Sequence, residues 1–166
     1  MAVQRLFEFR PLDRRDMPML YEWIFRPHVR RWWNDPYDDL DDVIDEFTRD
    51  ADYMLRTIAV LDGRGFGYFQ AWWDLAPNGE VGIDQFVADP NQVGKGLGRQ
   101  AVAAFCRLVF QRMPHIQCIS LDPDPANPRA IRAYEKAGFC HIPSRSTETK
   151  YLMTIQRSDV YGPRHD

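Results

Sequence analysis

The chain predicts an α/β fold of the α+β kind: a mixed, mainly antiparallel twisted sheet flanked by helices, with a parallel pair of central strands. Three observations predict it. Residues 53–61 and 66–73 are β-type runs around the Gly-rich turn Asp62-Gly63-Arg64-Gly65, which reads as a hairpin. Residues 98–111 and 127–137 carry apolar side chains at helical spacing and alternate with short β-type runs. The runs 81–88 and 116–121 are joined through the first of those helices, so they must lie parallel.

Each element follows from local chemistry. Residues 5–12 alternate weakly around Leu6, Phe7 and Phe9, as a first strand does. Asp13 or Asp16 can cap a helix through Trp23, with Met17, Leu20, Tyr21 and Ile24 as its apolar stripe. A short helical piece starts near Pro27 and carries Val29, Trp32 and Trp33. Asp38 can cap a third helix with Leu40, Val43, Ile44 and Phe47 on one face. After the hairpin, Pro77-Asn78-Gly79 makes a turn into the strand at 81–88. Pro114 stops the helix of Ala101, Val102, Phe105, Leu108 and Val109, and Gly138 stops the helix that Asn127 opens. Residues 139–142 and 151–155 close the sheet. One domain is expected over 1–166.

Composition excludes several function classes. A net charge of −3 argues against nucleic acid or an anionic membrane as main partner and suits a cationic small-molecule ligand. Cys106, Cys118 and Cys140 form no CxxC pair and are odd in number, so reduced thiols in a cytoplasmic protein are expected. No apolar run approaches membrane-spanning length, and the histidines lack zinc-ligand spacing, so no metal is expected. A monomer or homodimer is expected.

Two segments carry chemistry. Val93-Gly94-Lys95-Gly96-Leu97-Gly98 puts a glycine at every second position at a helix start. That exposes backbone N–H groups and lets a phosphate approach without meeting a Cβ. The loop is no Walker motif, since no Ser or Thr follows the lysine, and the dinucleotide spacing G-x-G-x-x-G fails. Alone it also reads as a flexible turn. Asn127 stands at the start of the second helix with Tyr134 seven residues on, about two turns later on the same face. Tyr134 alone reads equally as a core aromatic. Together, a phosphate loop and a phenol beside it suggest a site that holds a phosphorylated carrier and protonates its leaving group. Coenzyme A is the carrier expected.

This order of segments resembles the Gcn5-related N-acetyltransferase superfamily. Asn127, Ala130, Tyr134, Gly138 and Phe139 match its N-x-x-A-x-x-x-Y-x-x-x-G-F pattern. Its Arg/Gln pyrophosphate position holds Val93, with Gln92 just before it. Leu20-Tyr21-Glu22-Trp23, Arg31-Trp32-Trp33, Gly82-Ile83-Asp84-Gln85, Asp122-Pro123 and Arg129-Ala130-Ile131-Arg132 are similar to the aminoglycoside 6′-N-acetyltransferases. The resemblance implies that the parallel central strands are splayed, with acetyl-CoA as co-substrate and direct attack of an amine on the thioester. Pyrophosphate would be held by Gln92, Val93, Gly94, Lys95, Gly96, Leu97 and Gly98. The pantetheine arm would pair with backbone near Phe86 and Val87 and with Asn127, and Tyr134 would be the general acid.

For the amine, Asp84 and Asp122 are favoured. An acid between Ile83 and Phe86 in a central strand needs a reason, because Asp is depleted there. Asp84 would orient the ammonium and take its proton; Asp122 would bind it. Trp32 and Trp33 offer a flat wall to a sugar ring, and only one of Trp72 and Trp73 can share that face. Glu148 is the counterpart of a family acid. The acids from Asp35 to Glu46 read as bulk attraction for a polycation, or simply as a helix start and wet face. The rivals are an acetyltransferase for a polyamine or N-hydroxylysine, and a non-catalytic acyl-CoA sensor that needs neither Asp84 nor Tyr134.

Overall fold

A computed structural model describes residues 6–73 and 79–162. Strand β1 (Phe7–Pro11) leads into a 3-10 turn at Arg14–Asp16. There Asp13 accepts from Arg15 N at 2.9 Å and Asp16 accepts from Asp13 N at 2.8 Å, a reciprocal capping box. Helix α1 (Met17–Ile24) follows, buries Met17, Leu20, Trp23 and Ile24, and gains no side-chain cap from Asp16. Helix α2 (Pro27–Arg30) is one turn long. Helix α3 (Leu40–Thr48) is capped by Asp39, not by the expected Asp38, because Asp39 and Asp42 close a capping box.

Strands β2 (Met54–Leu61) and β3 (Arg64–Trp72) form the expected hairpin. Its turn is tighter than the four residues expected: Asp62 and Gly63, both with positive φ, suffice, and Arg64 and Gly65 already pair. Pro77 and Asn78 of the next expected turn lie outside the described residues. Strand β4 (Glu80–Val87), helix α4 (Leu97–Arg112) and strand β5 (Cys118–Leu121) make the parallel crossover. Helix α5 (Pro128–Ala137) begins at Asn127, whose side chain accepts from Ala130 N, and stops at Gly138. Strands β6 (Cys140–His141) and β7 (Met153–Gln156) close the sheet, both shorter than expected. A 3-10 turn at Pro143–Arg145 and a final helix α6 (Arg157–Tyr161) complete the described chain, and neither is legible in the sequence.

The seven strands order as β1-β2-β3-β4-β5-β7-β6, antiparallel except for β4 against β5. Each sheet face is buried separately. Val81 and Ile83 of β4 point to the α4 side, where Phe105, Phe110 and Ile119 are fully buried. Phe86 and Tyr68 point the other way, onto α1 and α3, among Leu20, Ile24, Val43 and Phe47. Burying one such side chain contributes about 1.5–3 kcal/mol, so the two cores pin β4 from both faces.

The parallel ladder between β4 and β5 is brief. It joins Glu80 to Cys118, Val81 to Ile119 and Gly82 to Ser120, and ends there. Strand β4 continues along β3 to Val87, while β5 ends at Leu121. From Ile83 onward, the β5 edge of β4 faces an opening.

Candidate active site

Which groups face that opening follows from ladder phase. Ala88 N donates to Phe66 O at 2.9 Å. Antiparallel alternation then turns the backbone of Gly82, Asp84 and Phe86 toward β3, and that of Ile83, Gln85 and Val87 toward the opening. The expectation that Phe86 offers a backbone donor is therefore corrected: its amide belongs to the β3 ladder, and its ring packs on Trp33 and Tyr68. Val87 N–H faces the opening, and Val87 O meets His28 Nε2 at 2.9 Å.

The glycine loop lies at one end of this opening. Gly94 and Gly96 have φ of +81° and +77°, and a Cβ on either would meet nothing within 4 Å, so the loop presents open backbone. Gly96 is the N-cap of α4, and Gln100 N finds Gly96 O at 3.3 Å. Among the described residues no hydrogen bond occupies the N–H groups from Gly94 through Arg99. A run of free amides at a 16-residue helix start attracts a polyanion. Lys95 and Leu97 alternate with the glycines there. The side-chain oxygens of Gln92 and Gln100 are buried without a partner, as is that of Gln85. Val93 N donates to Pro90 O at 3.2 Å, so Val93 closes the preceding turn and its amide is not free.

Tyr134 stands on α5 with its hydroxyl accepting from Gln85 Nε2 at 2.8 Å. Burial chiefly, with the charge of Asp84 adding, pushes its phenol up to about 12 against the lowering effect of that bond. Asn127 spends its carbonyl oxygen on Ala130 N at 3.2 Å, which leaves its amide nitrogen without a protein acceptor among the described residues.

The opposite face of β4 carries the acids. Asp84 Oδ2 accepts from Trp72 Nε1 at 3.0 Å and from Gln70 Nε2 at 3.2 Å, both from β3. Its Oδ1 has no protein donor among the described residues. Burial raises its pKa first, the charges of Asp122 and Asp35 raise it further, and the two hydrogen bonds oppose them. Asp122 pairs with Lys150 Nζ at 3.2 Å. Asp35, on the α2–α3 connection, receives the Tyr37 hydroxyl at 3.2 Å.

Trp72 resolves the question of the two adjacent tryptophans. It covers Gly82 so closely that a Cβ there would meet its ring at 2.2 Å, while Trp73 packs into the α4-side core. Trp33 packs edge-on against Tyr68 and Phe86, with centroids 5.8 and 5.3 Å away. Trp32 instead points outward, 37% exposed under the Arg31 guanidinium. Glu148 is exposed, and no hydrogen bond or ion pair holds it among the described residues. Sequence reasoning missed Gln70 and gave Gln85 and Asp35 no individual role. Gln70 and Gln85 gain roles only through cross-strand and strand-to-helix placement, and Asp35 stands out from its acidic neighbours only in space.

All three cysteines are free. Among the described residues no His, Cys, Asp and Glu group could hold a metal, and no helix is long and apolar enough to cross a membrane.

Comparison with known proteins places this geometry. A model of the acetyltransferase (GNAT) domain matches residues 13–147. The aminoglycoside N(6′)-acetyltransferase type 1 of Klebsiella pneumoniae is 38% identical over 145 residues, covering 78% of this chain and 72% of the relative. A kanamycin resistance protein of Rhizobium radiobacter is 49% identical over 85 residues, covering 51% of this chain and 71% of the relative. Among solved structures, the aminoglycoside acetyltransferase AAC(6′)-Ib in complex with coenzyme A and kanamycin superposes with a TM-score of 0.83 at 34% identity, covering 94% of this chain and 98% of that one. With the splayed strands, the open glycine loop and this extent of likeness in agreement, the chain belongs to the GNAT acetyltransferase domain family.

Proposed function

We propose that the protein transfers the acetyl group of acetyl-CoA to the 6′-amino group of an aminoglycoside, by direct attack of the amine. The observation that carries the acceptor assignment is the buried Asp84, anchored through Oδ2 alone, with the charges of Asp122 and Asp35 both acting on it. A buried carboxylate whose proton affinity two further carboxylates raise gains most from a ligand with several ammonium groups.

Acetyl-CoA brings an activated acyl thioester to the site. The free amides of Gly94, Lys95, Gly96, Leu97 and Gly98 bind its pyrophosphate. Gln92 reinforces that end, and Val93 sets the backbone turn into the loop. Asn127 Nδ2 and the Val87 backbone hold the amide-bearing arm, with Gln85 Oε1 as a further acceptor. Val87 N–H, facing the gap, stabilises the developing negative charge on the carbonyl oxygen. Asp84 Oδ1 orients the ammonium and takes its proton. Asp122 and Asp35 neutralise neighbouring amino groups, Trp33 and Trp72 wall the sugar, and Trp32 and Glu148 lie at the rim. Tyr134, protonated at neutral pH, supplies a proton to the departing thiolate.

Thiol release from acetyl-CoA, measured with kanamycin, spermidine, N-hydroxylysine or no acceptor, tests this reading. Kanamycin-dependent release is expected. Release with N-hydroxylysine or spermidine alone would keep the acyl-transfer assignment and remove the aminoglycoside.

A further inference from the structure

Asp84 does not choose its own orientation. Its Oδ2 sits between Trp72 Nε1 and Gln70 Nε2, so Oδ1 is the oxygen left for an acceptor. An indole can only donate, which makes Trp72 an unambiguous anchor. Gln70 is different, because an amide can present either its oxygen or its nitrogen. Turned by 180°, its Oε1 would face the carboxylate, acceptor against acceptor, and a hydrogen bond to Asp84 would become a repulsion.

The neighbouring residue on that sheet face resolves the ambiguity. Tyr68 lies two positions before Gln70 on β3, so both side chains point to the same side. Its hydroxyl donates to Gln70 Oε1 at 2.7 Å. Tyr68 is fully buried, clamped edge-on by Trp33 and Phe47, and its ring has no room to turn away. The Arg56 guanidinium, directly across from Gln70 on β2, acts electrostatically on that hydroxyl. A cation there favours the hydroxyl oxygen toward itself and the hydrogen away, toward Gln70. Arg56 is fixed in turn by the carbonyls of Arg49 and Glu46, at 2.8 and 3.2 Å.

We propose that the Tyr68 hydroxyl is a positioning group for the reaction: by occupying Gln70 Oε1 it holds the Gln70 amide with its N–H toward Asp84, and so aims Asp84 Oδ1 at the acceptor. The inference rests on the reading of Asp84 as the group that handles the amine. Asp122 with its partner Lys150, Asp35 and the Tyr134 phenol also act on Asp84 or its neighbours, from just after β5, the α2–α3 connection and α5.

The test is the pH profile of kcat/KM for kanamycin in Tyr68→Phe, Gln70→Leu and the double variant. A hydrogen bond to the ionised carboxylate favours its charged form, so its loss raises the proton affinity of Asp84. The acid limb of each single variant is expected to move to higher pH, with kcat/KM at neutral pH lowered about tenfold. The acetyl-CoA KM is expected to stay unchanged. Tyr68→Phe is expected to add no further shift on top of Gln70→Leu, because both act through one amide. An unmoved limb in Tyr68→Phe, or a second full shift in the double variant, overturns the proposal. Should Tyr68→Phe fail to fold, Gln70→Leu decides: a limb shifted upward supports the arrangement and an unmoved limb overturns it. Asp84→Asn run alongside separates the two levels. Near-normal turnover there removes the reading of Asp84 itself, whereas an inactive Asp84→Asn with an unmoved Tyr68→Phe limb removes only the role of Tyr68.

Discussion

Gln85 Nε2 donates to the Tyr134 hydroxyl at 2.8 Å, so the phenol oxygen is already an acceptor and its own hydrogen is free to point elsewhere. The strand that carries Asp84 on one face thus reaches the phenol from the other.

Tyr134→Phe is expected to lower kcat by about 10²- to 10⁴-fold while leaving both Michaelis constants nearly unchanged, since its proton matters mainly in the transition state. Gln85→Leu is expected to lose less, about tenfold. Because the phenol is pushed up to about 12, it stays protonated at lower pH, and no alkaline limb of the rate below that range is expected to belong to it. Steady-state kinetics across pH measure all three; near-normal turnover in Tyr134→Phe would mean the thiolate leaves unaided.

At Gly96 the backbone is left-handed and a side chain would stand in open space over the free amides. Gly96→Asp is expected to abolish acetyl-CoA binding by calorimetry, through charge against the pyrophosphate. The strained φ is expected to cost only about 1 kcal/mol of stability, which thermal melting would register as a small shift. Unchanged affinity would remove the loop from the coenzyme site.

Gly82 has no space for a methyl group under Trp72. Gly82→Ala is expected to displace the indole, break its 3.0 Å bond to Asp84 and lower kanamycin turnover, with acetyl-CoA affinity retained. Tryptophan fluorescence reports the displacement. An undisturbed indole with normal kinetics would show that β4 gives way instead.

Lys150 pairs with Asp122 through an ion pair 65% exposed on the lysine side. An exposed pair contributes about 0–1 kcal/mol, so Lys150→Met is expected to lower the KM for kanamycin by no more than about fivefold. Asp122→Asn is expected to raise it. Wild-type affinity for kanamycin is expected to fall with salt, because partly exposed charges are screened. A KM raised by Lys150→Met would mean the lysine supports the acceptor rather than competing with it.

What was legible in the sequence was what local chemistry writes. Asn127 and Gly138 bracket α5 because a cap acceptor and a left-handed stop are single-residue signals. The parallel pairing of β4 and β5 followed from the helix between them. Asp84 stood out because an acid is out of place in a central strand. The rest needed distances across the sheet. Gln70 and Trp72 reach Asp84 because β3 and β4 pair Gln70 with Asp84 and Trp72 with Gly82, a register that no single run of residues displays. Asp38 and Asp39 differ by one position, and only the reciprocal bond with Asp42 selects the second as the cap.

Strand β4 interleaves two responsibilities at single-residue spacing. In the proposed reaction Gly82 and Asp84 address the acceptor, while Gln85 and Val87 address the thioester side, and a pleat separates them. Substitutions at alternate positions can therefore retune which amine is accepted while the acyl-transfer apparatus stays intact. The same spacing sets a limit on such drift. Inserting or deleting one residue in β4 would exchange the two sets wholesale, so this strand tolerates replacement of residues far better than a change in their number.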